Sequence, residues 1–492
     1  MYKPSDPQKP LFDAAGLLPA QKRELCEQSW AGPFRKHALP ILRKVEGEFA
    51  DLFDEGMGRP NRPVELVLGT LILKDMNDLT DEEALGALEF DARWWYAFER
   101  EIHELHLCQK TLHNFRKRLL EHEDKEKKKL AFRRVTDELI AVLGVKVDRQ
   151  RLDSTHILSN IAMRNRLGLF CDVIGLFVRA VKREDAKAYE ELSPGILRRH
   201  GEESRYADAR KGEGPRRLGV VARDTGRLVD RFEDHATLAK AEEWKLLKRL
   251  FDEQCEVTLE EEKPKEDDDD HGEGGAGIVV KESKEVDSSS LQSAHDPGVS
   301  YSGKKGKGYE TQVSETCTEG NPVQLITEVQ VTRSCDSDQN ATVPVVEALE
   351  KAGHKPKEAV ADTAYSGGEN AAALAAKGVN LLAPAAPMGK PVEGKTYPPP
   401  SPTCPKVEKE AVEWLRQQEA SPEFKERYRI RAGIESTNAE LKAKHGLGRL
   451  RVRGKGRVKL SVYFKSLACN VKRALKYWLR SQTPAEGAAC LE

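Results

Sequence analysis

No apolar run in the chain is long enough to cross a bilayer. The longest, LGLFCDVIGLFV from Leu167, is broken by Asp172 and is shorter than the roughly 20 residues a membrane helix needs. The opening stretch MYKPSDPQKPLF lacks the charged-then-apolar pattern of a secretory leader. Cysteine is sparse and scattered: nine residues, an odd number, with no C-x-x-C pair and no Cys/His cluster. That spacing gives neither a disulfide framework nor a zinc site, and the expected setting is a reduced cytoplasm without membrane contact. No internal repeat is present.

What the chain does have is length and charge. Its 492 residues predict about three domains, and a hydrophobic content of 39% is enough for real cores. The net charge of −1 hides strong local imbalance. From Lys425 to Arg480 seventeen Lys or Arg stand against three Glu, a net of +14. From Asp252 to Glu273 twelve acids stand against two Lys, a net of −10. A basic block inside a neutral chain points to a polyanion bound by one region. A solubilising tail fits less well, because Leu460, Phe464, Leu467, Val471 and Leu475 recur there at helical spacing.

Residues 1 to about 145 read as helical. RPVELVLGTLILKDM opens with Pro63 at a first helical position, and Thr80-Asp81-Glu82-Glu83 is a capping-box pattern. LCQKTLHNFRKRLLEH sets Lys110, His113, Arg116 and Lys117 beside Leu112, Phe115 and Leu119. A helix-turn-helix-like DNA reader and an ordinary bundle with a solvated face fit this stretch equally. At GVKVDRQRLDSTHIL the period changes to a strand that ends at Asp153. A helical stretch follows to Cys255, in which Trp244 is expected to be an apolar anchor rather than a base-stacking residue. Residues 256–293 turn acidic, then Gly- and Ser-rich, and read as flexible; Asp267 to Asp270 are a solvated run before they are a metal site. Strands are expected at 308–317 and 323–332, at EAVAD ending in Asp362, and at VNLLAPAAP, with a proline-rich loop over 384–405.

The segment YRIRAGIESTNAELK places Tyr428, Arg431, Glu435 and Lys442 three, four and seven residues apart. On one helix these steps return to the same side. Alone, such a stripe is a solvated face more often than a site. Together with two strand-end aspartates, Asp153 and Asp362, it supplies what a two-cation phosphoryl-transfer site needs: carboxylates for hard cations and bases for phosphates. His156 reads as a hydrogen-bonding residue. Lys304, Lys305 and Lys307 in GKKGKGY, and Arg451, Arg453 and Lys455 in GLGRLRVRGKGRVKLS, suit phosphate contact by a flexible backbone.

The spacing Y-x2-R-x3-E-x6-K resembles the signature of DDE transposases from bacterial insertion sequences. LDSTHILSNI around Asp153 and ADTAYSG around Asp362 resemble the two aspartate motifs of that family. HDPGVSYSGKKGKGYETQVSETC (295–317) resembles its approach to the second strand, and GRPNRPVELVLGTLILKDMNDLTDEEALGALEFD its N-terminal helical region. The resemblance covers most of the chain and is weakest over 160–290.

It implies an α/β fold: a ribonuclease-H-like mixed sheet with its first three strands antiparallel, an N-terminal all-helical region and an insertion. The implied division is a helical DNA-binding domain at 1–143 and a catalytic domain at 144–480. The insertion spans about 160–295, and 481–492 form a tail. Asp153, Asp362 and Glu435 are implied as the triad holding two Mg2+ or Mn2+ ions. Tyr428, Arg431 and Lys442 are implied at the phosphates of the cleaved end, with Lys110, Arg116, Lys304, Lys305, Lys307, Arg451, Arg453 and Lys455 as further DNA contacts. The implied partners are double-stranded DNA, as terminal inverted repeats and as target, and a second copy of the chain or more; the implied location is the bacterial nucleoid. The 209 residues from Asp153 to Asp362 place the insertion after the first strand. Relatives with a hairpin DNA intermediate carry theirs between the second aspartate and the glutamate, an interval of 73 residues here, which leaves the hairpin step open. A structure-specific nuclease on the same core, or a domesticated DNA-binding relative, fits the same residues; all three acids being present speaks for an intact enzyme.

Overall fold

A computed structural model describes residues 1–5, 13–54, 56, 58–126, 129–202, 204–258, 277–400 and 407–482. The acidic run Asp267 to Asp270, the end of the proline-rich loop and the tail beyond 482 lie outside these residues.

Five strands form the central sheet: β1 (Arg149–Ile157), β2 (Gly306–Thr316), β3 (Ile326–Arg333), β4 (Glu358–Val360) and β5 (Asn380–Leu382). They lie in the order β3-β2-β1-β4-β5, and a short strand Ser300–Ser302 folds back on the start of β2. β1 and β3 run antiparallel to β2, whereas β4 and β5 join parallel to β1. This is the ribonuclease-H-like mixed sheet that the motifs led one to expect. The parallel crossovers need helices, and Thr342–Lys351 and Gly368–Ala376 supply them. Their apolar faces close over Leu152, Ala359, Ala361 and Leu381.

The sheet's other face carries Ile157, Tyr309, Val313 and Val329. These share one continuous core with the N-terminal helices and with the long helix Lys455–Gln482. The helix Val64–Met76 lies at its centre with nearly every side chain buried, as expected of a helix apolar all round. It sits so close to its neighbours that a Cβ at Gly69 would lie 2.6 Å from Phe98 Cε1. The N-terminal helices therefore have no core apart from the sheet. By contrast, the described residues from Leu167 to Ala294 pack around their own core of Phe170, Phe177, Phe232, Leu247 and Leu250, and Trp244 is buried among them as the expected anchor.

Three sequence expectations need correction. Asp153 does not end its strand. β1 continues to Ile157 because Ser154 to Ile157 pair with Tyr309 to Gln312 of β2, so Asp153 sits mid-strand. The Tyr428–Lys442 stripe is not one helix. An α-helix Phe424–Tyr428 passes through a 3₁₀ turn Arg429–Ala432 into a second α-helix Gly433–Lys444. The turn is tightened where the Ile430 carbonyl accepts from Arg151 Nη1 at 2.9 Å. The Arg151 guanidinium then runs so close to Gly433 that any Cβ there would collide with it. The third correction is the basic stretch after His445. Rather than a loose loop, Gly448 to Val452 hydrogen-bonds alongside Leu158 and Asn160, prolonging β1.

The capping box stands as read: Thr80 accepts from the Glu83 N–H, and the Glu83 carboxylate accepts from the Thr80 N–H at 2.7 Å.

Candidate active site

Parallel pairing of β1 with β4 ends at Arg151 opposite Val360. Asp153 and Asp362 each lie two residues further on, so both carboxylates point to one face at the same level. Asp362 is fixed by its own backbone, its Oδ1 capping the following turn through the Ala364 N–H at 2.9 Å. The helix Gly433–Lys444 packs over this face against β1 and brings Glu435, whose side chain is 62% exposed.

One side chain meets all three acids. Arg431 Nη2 lies 3.3 Å from Asp153 Oδ1 and 3.4 Å from Asp362 Oδ2, and its Nη1 lies 2.6 Å from Glu435 Oε1. Asn438, one helical turn beyond Glu435, donates to Asp153 Oδ2 at 3.0 Å. Burial raises the Asp153 carboxyl above the ordinary range; Arg431 opposes this, and Asp362 and Asp338 add to it. Burial works against the Arg431 charge, but Asp153, Tyr428, Asp362 and Glu435 together hold its pKa above the usual value. Tyr428, stacked on Phe424 with centroids 5.1 Å apart, has its phenol pKa raised by burial, against the pull of Arg431. An all-oxygen donor set gathered around a positive charge fits hard divalent cations.

A second charge network anchors the helix. Glu315 of β2 is fully buried and receives Arg151 Nε at 2.6 Å, Thr437 Oγ1 at 2.7 Å and the Arg473 guanidinium. Arg473 also pairs with Glu440 at 2.9 Å. The Glu435 helix is thereby tied to β1, β2 and the C-terminal helix. Sequence reasoning missed this set and Asn438. The alternation of Arg151 with Asp153, and the three-residue step from Glu435 to Asn438, were the available signals. Arg473 gave none, being one of many basic residues in its helix. On the opposite face, Ser154 and Gln312 both donate to Asp338, at 3.0 and 2.8 Å. His156 faces the Lys307 carbonyl at 3.2 Å and is a packing residue.

The expected phosphate-binding cations divide into two groups. Lys110, Lys304, Lys442, Arg453 and Lys455 are exposed. The others are engaged by the protein. Lys305 pairs with buried Glu310 at 2.6 Å. Lys307 donates to the Arg164 and Gln292 carbonyls at 2.9 and 3.2 Å, and burial lowers its pKa. Arg116 grips Asp81, and Arg451 pairs with Asp78 at 2.8 Å. Arg116 and Arg451 line a groove of about 680 Å³ with Lys74, His113, Lys117 and Arg457. It runs between the N-terminal helices and the C-terminal basic region.

Comparison with known families defines the class. A transposase DDE domain matches residues 403–475, which include Tyr428, Arg431, Glu435 and Lys442. A transposase domain (DUF772) matches residues 35–118, which include Lys110 and Arg116. The two matches together indicate a transposase and, within that class, a DDE transposase of an insertion sequence, a mobile element; that class implies DNA binding. No curated protein and no solved structure matches it. Among the described residues no helix is long and apolar enough to cross a membrane.

Proposed function

We propose that this chain cuts the ends of its own insertion sequence and joins the freed 3′-hydroxyl to target DNA, with Asp153, Asp362 and Glu435 as the cation-holding triad. The observation that carries this reading is the convergence of three carboxylates, from two strands and one helix, on the single guanidinium of Arg431. Two divalent cations, Mg2+ or Mn2+, supply when bound an activated oxygen nucleophile and charge neutralisation at the leaving oxygen. The protein's own part is positioning. Asn438 fixes the Asp153 carboxylate, and the Glu315 network fixes the helix that carries Glu435. Arg431 exchanges its acids for a phosphate oxygen when cations neutralise them, since guanidinium binds phosphate as well as carboxylate. Tyr428, from the helix before Arg431, and Lys442, from the helix after it, are further phosphate contacts. Lys304, Arg453 and Lys455 extend the contact along the DNA backbone, which positions without reading sequence. Residues 1–143, with Lys110 exposed and Arg116 in the groove, serve as the reader of the terminal repeats. Two ends must be joined, so the working form is a dimer or larger.

The test is cleavage of DNA carrying the element's ends, wild type against Glu435→Gln. Glutamine keeps the shape and removes the charge. The expected result is retained DNA binding with cleavage reduced at least about 100-fold, the scale on which losing one electrostatic stabiliser acts. A variant that cuts as well as wild type would overturn the assignment of the third carboxylate.

A further inference from the structure

No cysteine or histidine spacing in the chain announces a zinc site, yet the fold assembles three suitable ligands far from the carboxylate triad's chemistry. A Glu440 carboxylate oxygen, a His445 ring nitrogen and Cys469 Sγ lie within 4.8 Å of one another. They come from two elements: Glu440 from the helix Gly433–Lys444, with His445 as its C-terminal cap, and Cys469 from the helix Lys455–Gln482.

The histidine carries the strongest signal. His445 is fully buried, and its Nδ1 lies 2.9 Å from the Asp75 carbonyl at the end of the helix Val64–Met76. That contact makes Nδ1 the protonated nitrogen and leaves Nε2 with its lone pair, buried and without a hydrogen-bond partner. An orphaned acceptor of this kind is costly, and a histidine held through its other nitrogen by a backbone carbonyl is the usual arrangement of a metal ligand. Arg473 pairs with Glu440 Oε2 at 2.9 Å, and the Cys469 thiol donates to the same carboxylate.

We propose that Glu440, His445 and Cys469 bind one zinc ion, which clamps the helix bearing Glu435 to the C-terminal helix. Imidazole, thiolate and carboxylate together are a zinc donor set, softer than the all-oxygen triad. Glu440 would then face both the zinc and Arg473, which keeps its second acid, Glu315. Three protein ligands would leave a fourth position for water or another donor. Cys469 would ligate as the thiolate, so zinc uptake releases its proton to solvent.

The experiment uses the full chain stripped with EDTA, then titrated with Zn2+ against a chromophoric chelator and, separately, with Co2+ as an optical probe. The expected result is about one tightly held zinc per chain, and a thiolate-to-cobalt charge-transfer band that is absent in Cys469→Ser. Glu435→Gln keeps the band, which separates this site from the carboxylate triad. Glu440→Gln keeps the shape of a partly exposed side chain, and weakens zinc binding by roughly 10- to 100-fold or more. The proposal is overturned if cobalt gives wild type and Cys469→Ser the same spectrum. It is equally overturned if Glu440→Gln binds zinc as tightly as wild type.

Discussion

Two charge clusters lie on one face of β1, built on side chains two residues apart. Around Arg151, two arginines meet two glutamates, Glu315 and Glu440, and the charges cancel. Around Asp153, three carboxylates share one arginine, leaving a surplus of two negative charges. The balanced cluster is buried, and its hydrogen bonds are complete around Glu315. The unbalanced one opens to solvent, from Asp153 at 14% side-chain exposure to Glu435 at 62%. Buried charge must be matched to be tolerated. A surplus persists only where water or cations can reach it, so the imbalance itself separates the binding cluster from the structural one.

The comparison breaks most severely at Glu315. Glu315→Gln leaves Arg151 and Arg473 buried without their shared counter-charge and is expected to cost about 3–5 kcal/mol, read as a lower midpoint in urea at unchanged slope. An unchanged midpoint would mean that the balanced cluster is dispensable. Gly433→Ala drives a methyl into the Arg151 guanidinium and is expected to cost about 1–3 kcal/mol by overpacking. Its cleavage rate should fall with Glu435 intact, because the helix is lifted from β1; equal rates in variant and wild type would refute that coupling.

Arg431→Ala sharpens the contrast from the other side. Without the arginine that pairs with all three acids, stability in EDTA should drop by about 1 kcal/mol, the modest value of a partly solvated pair. Mg2+ should then raise the melting temperature of the variant more than that of wild type. Equal responses would show that the guanidinium does not stand where divalent cations act. The smallest effect belongs to Lys442→Ala: melting temperature unchanged, with the salt dependence of DNA affinity reduced by about one unit of slope, as for one phosphate contact. A slope equal to wild type would remove Lys442 from the interface.

Much of this was legible in the residues. Period-2 and period-3.6 patterns marked the strands and helices because burial on one face imposes them locally. The capping box at Thr80 was read correctly for the same reason, since its bonds span three residues. The end of β1 was misread because what continues it past Asp153 is pairing with β2, more than 150 residues away. The 3₁₀ break before Gly433 was invisible for a similar reason: it depends on Arg151, 282 residues earlier. Composition did not say which of the phosphate-binding candidates find a partner inside the protein. Lys307 and Arg116 do; Lys442 and Lys455 remain exposed.

By itself the sequence determined the elements, the class of chemistry and the spacing Tyr428, Arg431, Glu435 and Lys442, all of which are properties of short segments. Tertiary structure alone decided that Asp153 and Asp362 stand side by side, since only parallel pairing of β1 with β4 closes 209 residues of chain. It also decided that one arginine pairs with all three carboxylates, and that Glu440, His445 and Cys469 meet beside the helix that carries Glu435. Distances between residues remote in sequence are set by packing, and no local period encodes them.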